Sequence, residues 1–413
     1  MASEVLTPAQ RAAVENRGGP LLVSAAAGSG KTKVLVDRLL EYLTQEENPA
    51  NIDDFLMITY TKAAASELRG KIAAKLTERL SREPENRHLQ QQIQRLYLAK
   101  ISTVHSFCAD LLREYAFALE LPGDMRVADE PECADLRSIA MEAVLEEAYG
   151  TIGENPALQA FVDTQGFGRD DRAVPELVGA IYDSARCHVR PQAWLERCVT
   201  QGDTRGLRDA GETVWGAYLI DRLHCYIDGQ TESMEEALRL AREQEDLGPK
   251  YGPTLEENLR QLRALRACGT WDEIHENRIQ DFGRLKAIRN PIDPEAAQRI
   301  KAIRKGAYEG IKARQAPFAT ASGKLLEDLE AGSLAVQGLV HLVTAFGERY
   351  RREKERRRVL DFGDLEHRTL ELLLGKNCTG PTRAAREVGS RFREVMVDEY
   401  QDTNGCRTGF SPL

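Results

Sequence analysis

The chain has 413 residues, 42% of them apolar and 29% charged, the make-up of a water-soluble globular protein long enough for two or three domains. Its net charge of −9 gives no bulk attraction for a polyanion, so any nucleic-acid role would rest on local basic and aromatic groups. The eight cysteines include no Cys-x-x-Cys pair and have no histidine at zinc spacing, residues 1–11 lack the apolar stretch of a secretory leader, and no run reads as a membrane span. A cytoplasmic protein with no membrane association is expected.

Leu6-Thr7-Pro8-Ala9-Gln10 opens a short helix, with Thr7 at the N-cap and Pro8 at the first helical position. The Gln10 carboxamide can donate to and accept from an adenine edge at once, although a surface glutamine on a capped helix is the plain alternative. Next, Leu21-Leu22-Val23 is expected as a buried strand, and a helical pattern covers 34–43. Between them lies Ser24-Ala25-Ala26-Ala27-Gly28-Ser29-Gly30-Lys31-Thr32. Strand, small-residue loop and helix are the layout of a phosphate-binding loop. Small residues let backbone N–H groups close on phosphate oxygens, the helix start adds partial positive charge, Lys31 reaches the outer phosphates, and the Thr32 hydroxyl can ligate Mg²⁺. Ala25 stands where the general pattern has its first glycine.

Phe55-Leu56-Met57-Ile58-Thr59-Tyr60 predicts a buried strand, followed by a helix over 61–80. At the join, Thr59, Tyr60, Thr61 and Lys62 supply hydroxyls, an aromatic face and a cation, which suit single-stranded nucleic acid; strand-end polarity with a helix cap explains them equally. The same layout recurs where the strand Lys100-Ile101-Ser102-Thr103-Val104 meets His105-Ser106-Phe107 and a helix to 115. From 121 to 380 helical patterns dominate, at 133–149, 173–187, 231–245 and 255–268 among others, and they read as a helical insertion. The run 349–358 is densely basic, either a solvated helix face or a backbone-phosphate surface. After it, Leu360-Asp361-Phe362-Gly363-Asp364-Leu365 opens an amphipathic helix.

The last informative stretch runs Val395-Met396-Val397-Asp398-Glu399-Tyr400-Gln401-Asp402-Thr403-Asn404. A buried parallel strand that ends in two carboxylates places Asp398 on Mg²⁺ and Glu399 on the attacking water of a phosphate-loop enzyme. Four strands thus carry their chemically suggestive residues at their carboxyl ends, where open α/β sheets bind ligands.

These residues together resemble superfamily 1 helicases of the UvrD and RecB type, and most of all the AddA (RexA) family of helicase-nuclease subunits. The carriers are Leu6 to Gln10 as the adenine motif, Ala25 to Thr32 as the nucleotide loop, Ile58 to Lys62 and Ser102 to Phe107 as single-strand contacts, and Asp398 to Asn404 as the Mg²⁺ and hydrolysis motif. That family has alanine at the place of Ala25. Arg126-Val127-Ala128-Asp129-Glu130 and Leu360 to Leu365 tilt the likeness from UvrD towards AddA. Lys62 and Lys71 stand where the family usually has Asn and Arg.

The resemblance implies an α/β fold with a RecA-like parallel-sheet core over 1–120 and 385–413 and a mostly helical inserted domain over 121–384. It implies ATP and Mg²⁺ as cofactors. Gln10, Ala25, Ala26, Ala27, Gly28, Ser29, Gly30, Lys31, Thr32 and Gln401 would hold the nucleotide, Thr32 and Asp398 the metal, and Lys31, Asp398 and Glu399 would act in hydrolysis. Single-stranded DNA would meet Thr59, Tyr60, Thr61, Lys62, Thr103, His105, Ser106 and Phe107. The implied activity is ATP-driven 3′ to 5′ movement in double-strand-break repair and recombination, on duplex ends, with an AddB-type (RexB) partner subunit. Beyond Asn404 the sequence departs from the family, which reads as a truncated or frameshifted chain expected to bind ATP but to turn it over slowly and not to unwind DNA. The competing readings are a UvrD-type repair helicase without a nuclease, a phosphate-loop ATPase with no nucleic-acid role, and an inert remnant.

Overall fold

The computed structural model describes residues 6–26, 28–45, 47–165 and 173–408. The chain forms two compact units, one of Met1–Tyr149, Pro175–Trp194 and Leu342–Leu413, the other of Gly150–Val174 and Leu195–His341. The parts 121–149, 175–194 and 342–384, expected within the inserted domain, pack in the first unit.

The first unit is built on a strand whose apolar run is buried at every position, β1 (Phe55–Thr59). β2 (Lys100–Thr103) flanks it on one side, and both strands run parallel with Met57 opposite Ile101. A second two-stranded parallel pair joins β3 (Arg126–Val127) to β4 (Val359–Leu360). On the other side of β1 lies β5 (Glu394–Val397), again parallel, with Met57 opposite Met396. The spatial order is therefore β2-β1-β5. Side chains alternate along a strand, so Phe55 and Met57 enter one core with Leu39, Leu68 and Ile72, while Leu56 and Ile58 enter another with Cys108, Leu112 and Leu365. Helices follow β1 and β2 directly, at Lys62–Arg82 and Val104–Glu114, because Thr61 and Thr103 hold extended backbone and cap the first turns with their hydroxyls.

Two strand expectations need correction. Leu21, Leu22 and Val23 lie outside the sheet and are exposed, Leu22 by 74%. An extended segment is stable in a sheet only when its N–H and C=O groups meet a partner, and here β5 pairs with β1 alone. For the same reason β5 is an edge strand: Met396 is buried, while Val395 and Val397 are not.

The second unit is helical. Its long helices Val214–Arg242, Gly248–Ala267 and Pro294–Gln315 enclose a core around Tyr251, Trp271 and Phe318. The first of these runs well beyond the 231–245 pattern, through Gly229, since burial of Leu223, Ile227 and Met234 outweighs a glycine's ~1 kcal/mol preference against helix. The strap 278–290 crosses this core without regular structure, placing Ile279, Phe282, Leu285 and Ile288 on it at every third residue. Gln315 brackets Ile279, accepting from its N–H at 3.1 Å and donating to its carbonyl at 2.6 Å.

The helix Ser322–Arg357 is long and apolar enough, by length and composition, to cross a membrane, an exception to the sequence reading. Leu342, Val343, Phe346 and Tyr350 of this helix are buried. Its basic end is not a display of free cations. Arg349 pairs with Glu353 at 3.1 Å, Arg351 with Glu355 at 2.6 Å, and Arg358 with Asp124. Lys354 is buried, 2.8 Å from Asp361 and in contact with Asp364. Burial pulls the Lys354 ammonium down, but Asp364 and Asp361 together hold it above its ordinary value; burial raises Asp361, and Lys354 outweighs it to leave that carboxyl at about 2.

Beside this cluster, His367 donates to the Arg186 carbonyl at 2.9 Å. Burial and then the Arg186 guanidinium depress the imidazole to about 4. The group is neutral in the fold and must bind a proton on unfolding, so its contribution is complete above the unfolded value near 6.5 and is lost as pH falls towards 4. Urea unfolding at pH 7 and pH 4.5 should show wild type losing about 1–2 kcal/mol more than His367→Gln across that interval; parallel losses would contradict the assignment.

Candidate functional site

The site is assembled on the carboxyl ends of the parallel strands. The helix Lys31–Leu43 reaches it because its last turn is anchored at the opposite end of the sheet. Tyr42 meets Phe55 with ring centroids 5.2 Å apart and donates to Glu394 at 2.6 Å, at the first residues of β1 and β5. Burial, then the bond to Glu394, raises the Tyr42 phenol. Arg38 adds a forked pair to Glu394 at 2.6 and 3.0 Å and donates to the carbonyls of Ala13 and Asn16 at 2.7 and 2.5 Å. One guanidinium thus ties the end of the helix Pro8–Glu15, the loop helix and the edge strand together. From Arg38 the helix rises about 10 Å back to Lys31, and β5 rises about 13 Å from Glu394 to Asp398, towards the same rim.

The loop before that helix turns through Gly28 and Gly30, at φ +77° and +86°, a region that disfavours any residue with a Cβ. Ala25, Ala26 and Ser29 are exposed, and Ala27 lies outside the described residues. Lys31 folds over the loop, donating to the carbonyls of Ala25 at 3.0 Å and Ala26 at 3.3 Å. Thr32 follows in the first helical turn. Gln10 sits against this loop as expected: its Nε2 donates to Ser29 O at 3.1 Å while its Oε1 accepts from Thr7 N at 3.0 Å in a capping box. A carboxamide has two donors and two acceptor positions, so each end keeps capacity for a further bond.

On β5, Asp398 N–H donates to Ile58 O at 2.9 Å, continuing the ladder into the acidic loop. Glu399 adopts φ +55°, uncommon for a glutamate, and its carboxylate accepts from Gln401. The loop closes as a tight turn, Asp402 N to Glu399 O at 3.0 Å and Thr403 N to Tyr400 O at 3.1 Å. Among the described residues no three His, Cys, Asp or Glu side chains gather as a metal site. A cation here would take few protein ligands and complete its shell with phosphate and water.

The rim beside the acidic loop departs in part from the sequence reading. Thr59 is 1% exposed and its hydroxyl donates to Thr61 O at 3.2 Å; Thr103 is buried and accepts from Ser106 N. Both side chains shape the strand ends from inside. Phe107 packs edge-on to Phe392 at 6.4 Å and belongs largely to the core. Thr61 and Lys62 are exposed, while Tyr60, His105 and Ser106 are half-buried. The Tyr60 hydroxyl shares a hydrogen bond with the Thr403 hydroxyl.

The sequence reading missed three residues that complete this rim. Phe362 is 55% exposed and stacks on His105 with centroids 4.6 Å apart. Glu366, 6% exposed at its side chain, meets His105 Nε2 at 3.0 Å and accepts from Arg407 Nε at 2.8 Å. Burial raises the Glu366 carboxyl, and bonds to His105 and Arg407 lower it further than that, to a net value below the ordinary one. Arg407 in turn lies 5.5 Å from the Tyr60 ring centroid. The aromatic after the Asp361 helix cap was the available signal for Phe362; Glu366 and Arg407 have none without the fold.

Residues 6–410 match the model of the UvrD/REP helicase N-terminal domain. The chain belongs to the UvrD/REP helicase N-terminal domain family. Relatives named as ATP-dependent helicase/nuclease subunits include one from Acetivibrio thermocellus, 34% identical over 96% of this chain and 32% of its own length. Those from Pelotomaculum thermopropionicum and Geobacillus thermodenitrificans are each 36% identical, over 97% and 96% of this chain. The chain spans about a third of the length of these relatives. The loop, the acidic turn and the rim all stand in one compact unit.

Arg38 ties the loop helix to the edge strand, so Arg38→Ala, which leaves Glu394 with Tyr42 alone and two carbonyls without their guanidinium donor, should cost about 3–5 kcal/mol. Urea unfolding at neutral pH measures it, and a loss below about 1 kcal/mol would show the anchor to be dispensable.

Proposed function

We infer that the chain is the ATP-binding and single-strand-binding part of an AddA-like DNA helicase subunit. In this reading it moves 3′ to 5′, acts in the cytoplasm at duplex ends in double-strand-break repair and recombination, and pairs with an AddB-type (RexB) subunit when its relatives' full length is present. Residues 1–120 and 385–413 make the RecA-like core, and 121–384 are inserted in it. The reading is supported by a glycine-kinked loop over which Lys31 folds, opening a helix that Arg38 ties to Glu394 at the start of β5, the strand that runs into the acidic turn.

The residues fit Mg²⁺ and ATP. Backbone N–H groups from Ala25 to Lys31 would cradle phosphate, Thr32 and Asp398 would hold the cation, and Gln10 would read the adenine edge. Bound Mg²⁺ and ATP supply the phosphoanhydride whose hydrolysis drives movement. Lys31, which donates to the loop carbonyls, would turn to the outer phosphates and compensate their charge. Glu399 orients the attacking water, and Gln401 steadies the carboxylate that does so. Exposed Lys62 and Phe362 would meet the phosphates and bases of the strand, with the Tyr60 ring beside them.

Titration of a fluorescent ATP analogue with Mg²⁺ should show Lys31→Ala binding about 10- to 150-fold more weakly, since a charge-assisted contact is worth ~1.5–3 kcal/mol. Equal affinities would remove Lys31 from the site. For the strand, Phe362→Ala should weaken binding of a labelled oligothymidylate at low salt by ~1–3 kcal/mol while leaving the unfolding midpoint near wild type, because the ring is more than half exposed. An unchanged affinity would leave the ATPase without a nucleic-acid role as the better reading.

A further inference from the structure

The acidic turn and the rim are connected through side chains as well as through the strands. Asp398 N–H is fixed to Ile58 O at 2.9 Å, so the start of the turn cannot leave β1. Its far end is Thr403, whose hydroxyl bonds that of Tyr60, two residues beyond Ile58. Between these points Glu399 is held by backbone bonds to Asp402 and by Gln401, in a left-handed conformation that side chains adopt only under constraint. On the rim side the Tyr60 ring is backed by Arg407, which Glu366 holds, and Glu366 also holds His105.

We propose that Thr403 is a positioning residue whose hydroxyl bond to Tyr60 couples a strand on the rim to the acidic turn, so that nucleic acid and nucleotide change each other's affinity. The proposal rests on the function inferred above. A base or phosphate against Tyr60 displaces the ring, the hydroxyl bond moves Thr403, and the closed turn carries the displacement to Glu399. Thr403 touches neither ligand in this scheme. Coupling between two sites is reciprocal, so the same factor must appear whichever ligand is titrated first.

The experiment measures the affinity of the 413-residue chain for labelled oligothymidylate with and without a non-hydrolysable ATP analogue and Mg²⁺, and the affinity for the analogue with and without the oligonucleotide. Wild type should show a factor of about five or more, equal in both directions. Thr403→Val keeps the shape and removes the hydroxyl. It should bring the factor to about one, while Thr403→Ser, which restores a hydroxyl, keeps the wild-type factor. Tyr60→Phe removes the bond from its other end, so the double variant should lose no more coupling than either single one; it also supplies the test should Thr403→Val fail to fold. A wild-type factor retained by both single variants, or a factor of one in wild type, overturns the proposal. Failure of wild type to bind either ligand overturns the function reading itself, and the coupling with it.

Discussion

Everything at the candidate site depends on the parallel register of β1 with both of its neighbours. Met57 stands opposite Ile101 on one side and Met396 on the other, so the three strands end level and their following loops share one rim. Parallel strands admit this arrangement only when the connections cross over a face of the sheet, which is why helices follow β1 and β2. Burial on both faces then makes the register hard to slip: a shift of one residue in β1 would send Phe55 and Met57 to the face of Leu56 and Ile58 and break two cores at once.

Charge inside this unit serves position more than stability. Lys354 between Asp361 and Asp364, and Arg38 on Glu394, are largely removed from water, where mutual attraction roughly offsets desolvation. What such pairs supply is direction. Arg38 can be satisfied only if the end of the first helix, the loop helix and the edge strand come to one place. Glu366 can be satisfied only with His105 and Arg407 turned towards it. The exposed pairs along 349–358, such as Arg349–Glu353 and Arg351–Glu355, carry little energy each.

Local signals carried the sequence reading where local chemistry decides the outcome. Thr7 and Thr61 announce helix starts because a hydroxyl before a helical pattern caps the same two or three N–H groups in any fold, and Gly28 and Gly30 announce a turn that only glycine makes easily. The reading failed where the outcome is set by distant neighbours. Leu21-Leu22-Val23 looks like a strand, but a strand exists only beside a partner. Thr59 and Thr103 look like surface hydroxyls, but β1 and the helix cap draw them inside. Glu366 could not be distinguished from any charged residue on an amphipathic helix until the fold set His105 and Arg407 on either side of it.

The net charge of −9 points to the same conclusion from the electrostatic side. A chain with this balance offers a polyanion no net attraction, and because salt screens charges more than about one Debye length apart it can hold one only where cations lie within a few ångströms of the phosphates. Lys31 at the loop and exposed Lys62 beyond β1 would supply such cations in the proposed function, Lys31 being held by the loop carbonyls until a ligand replaces them. In the proposed function, specificity for the rim over the rest of the surface is therefore a matter of geometry. The cations that matter are those whose direction the fold determines.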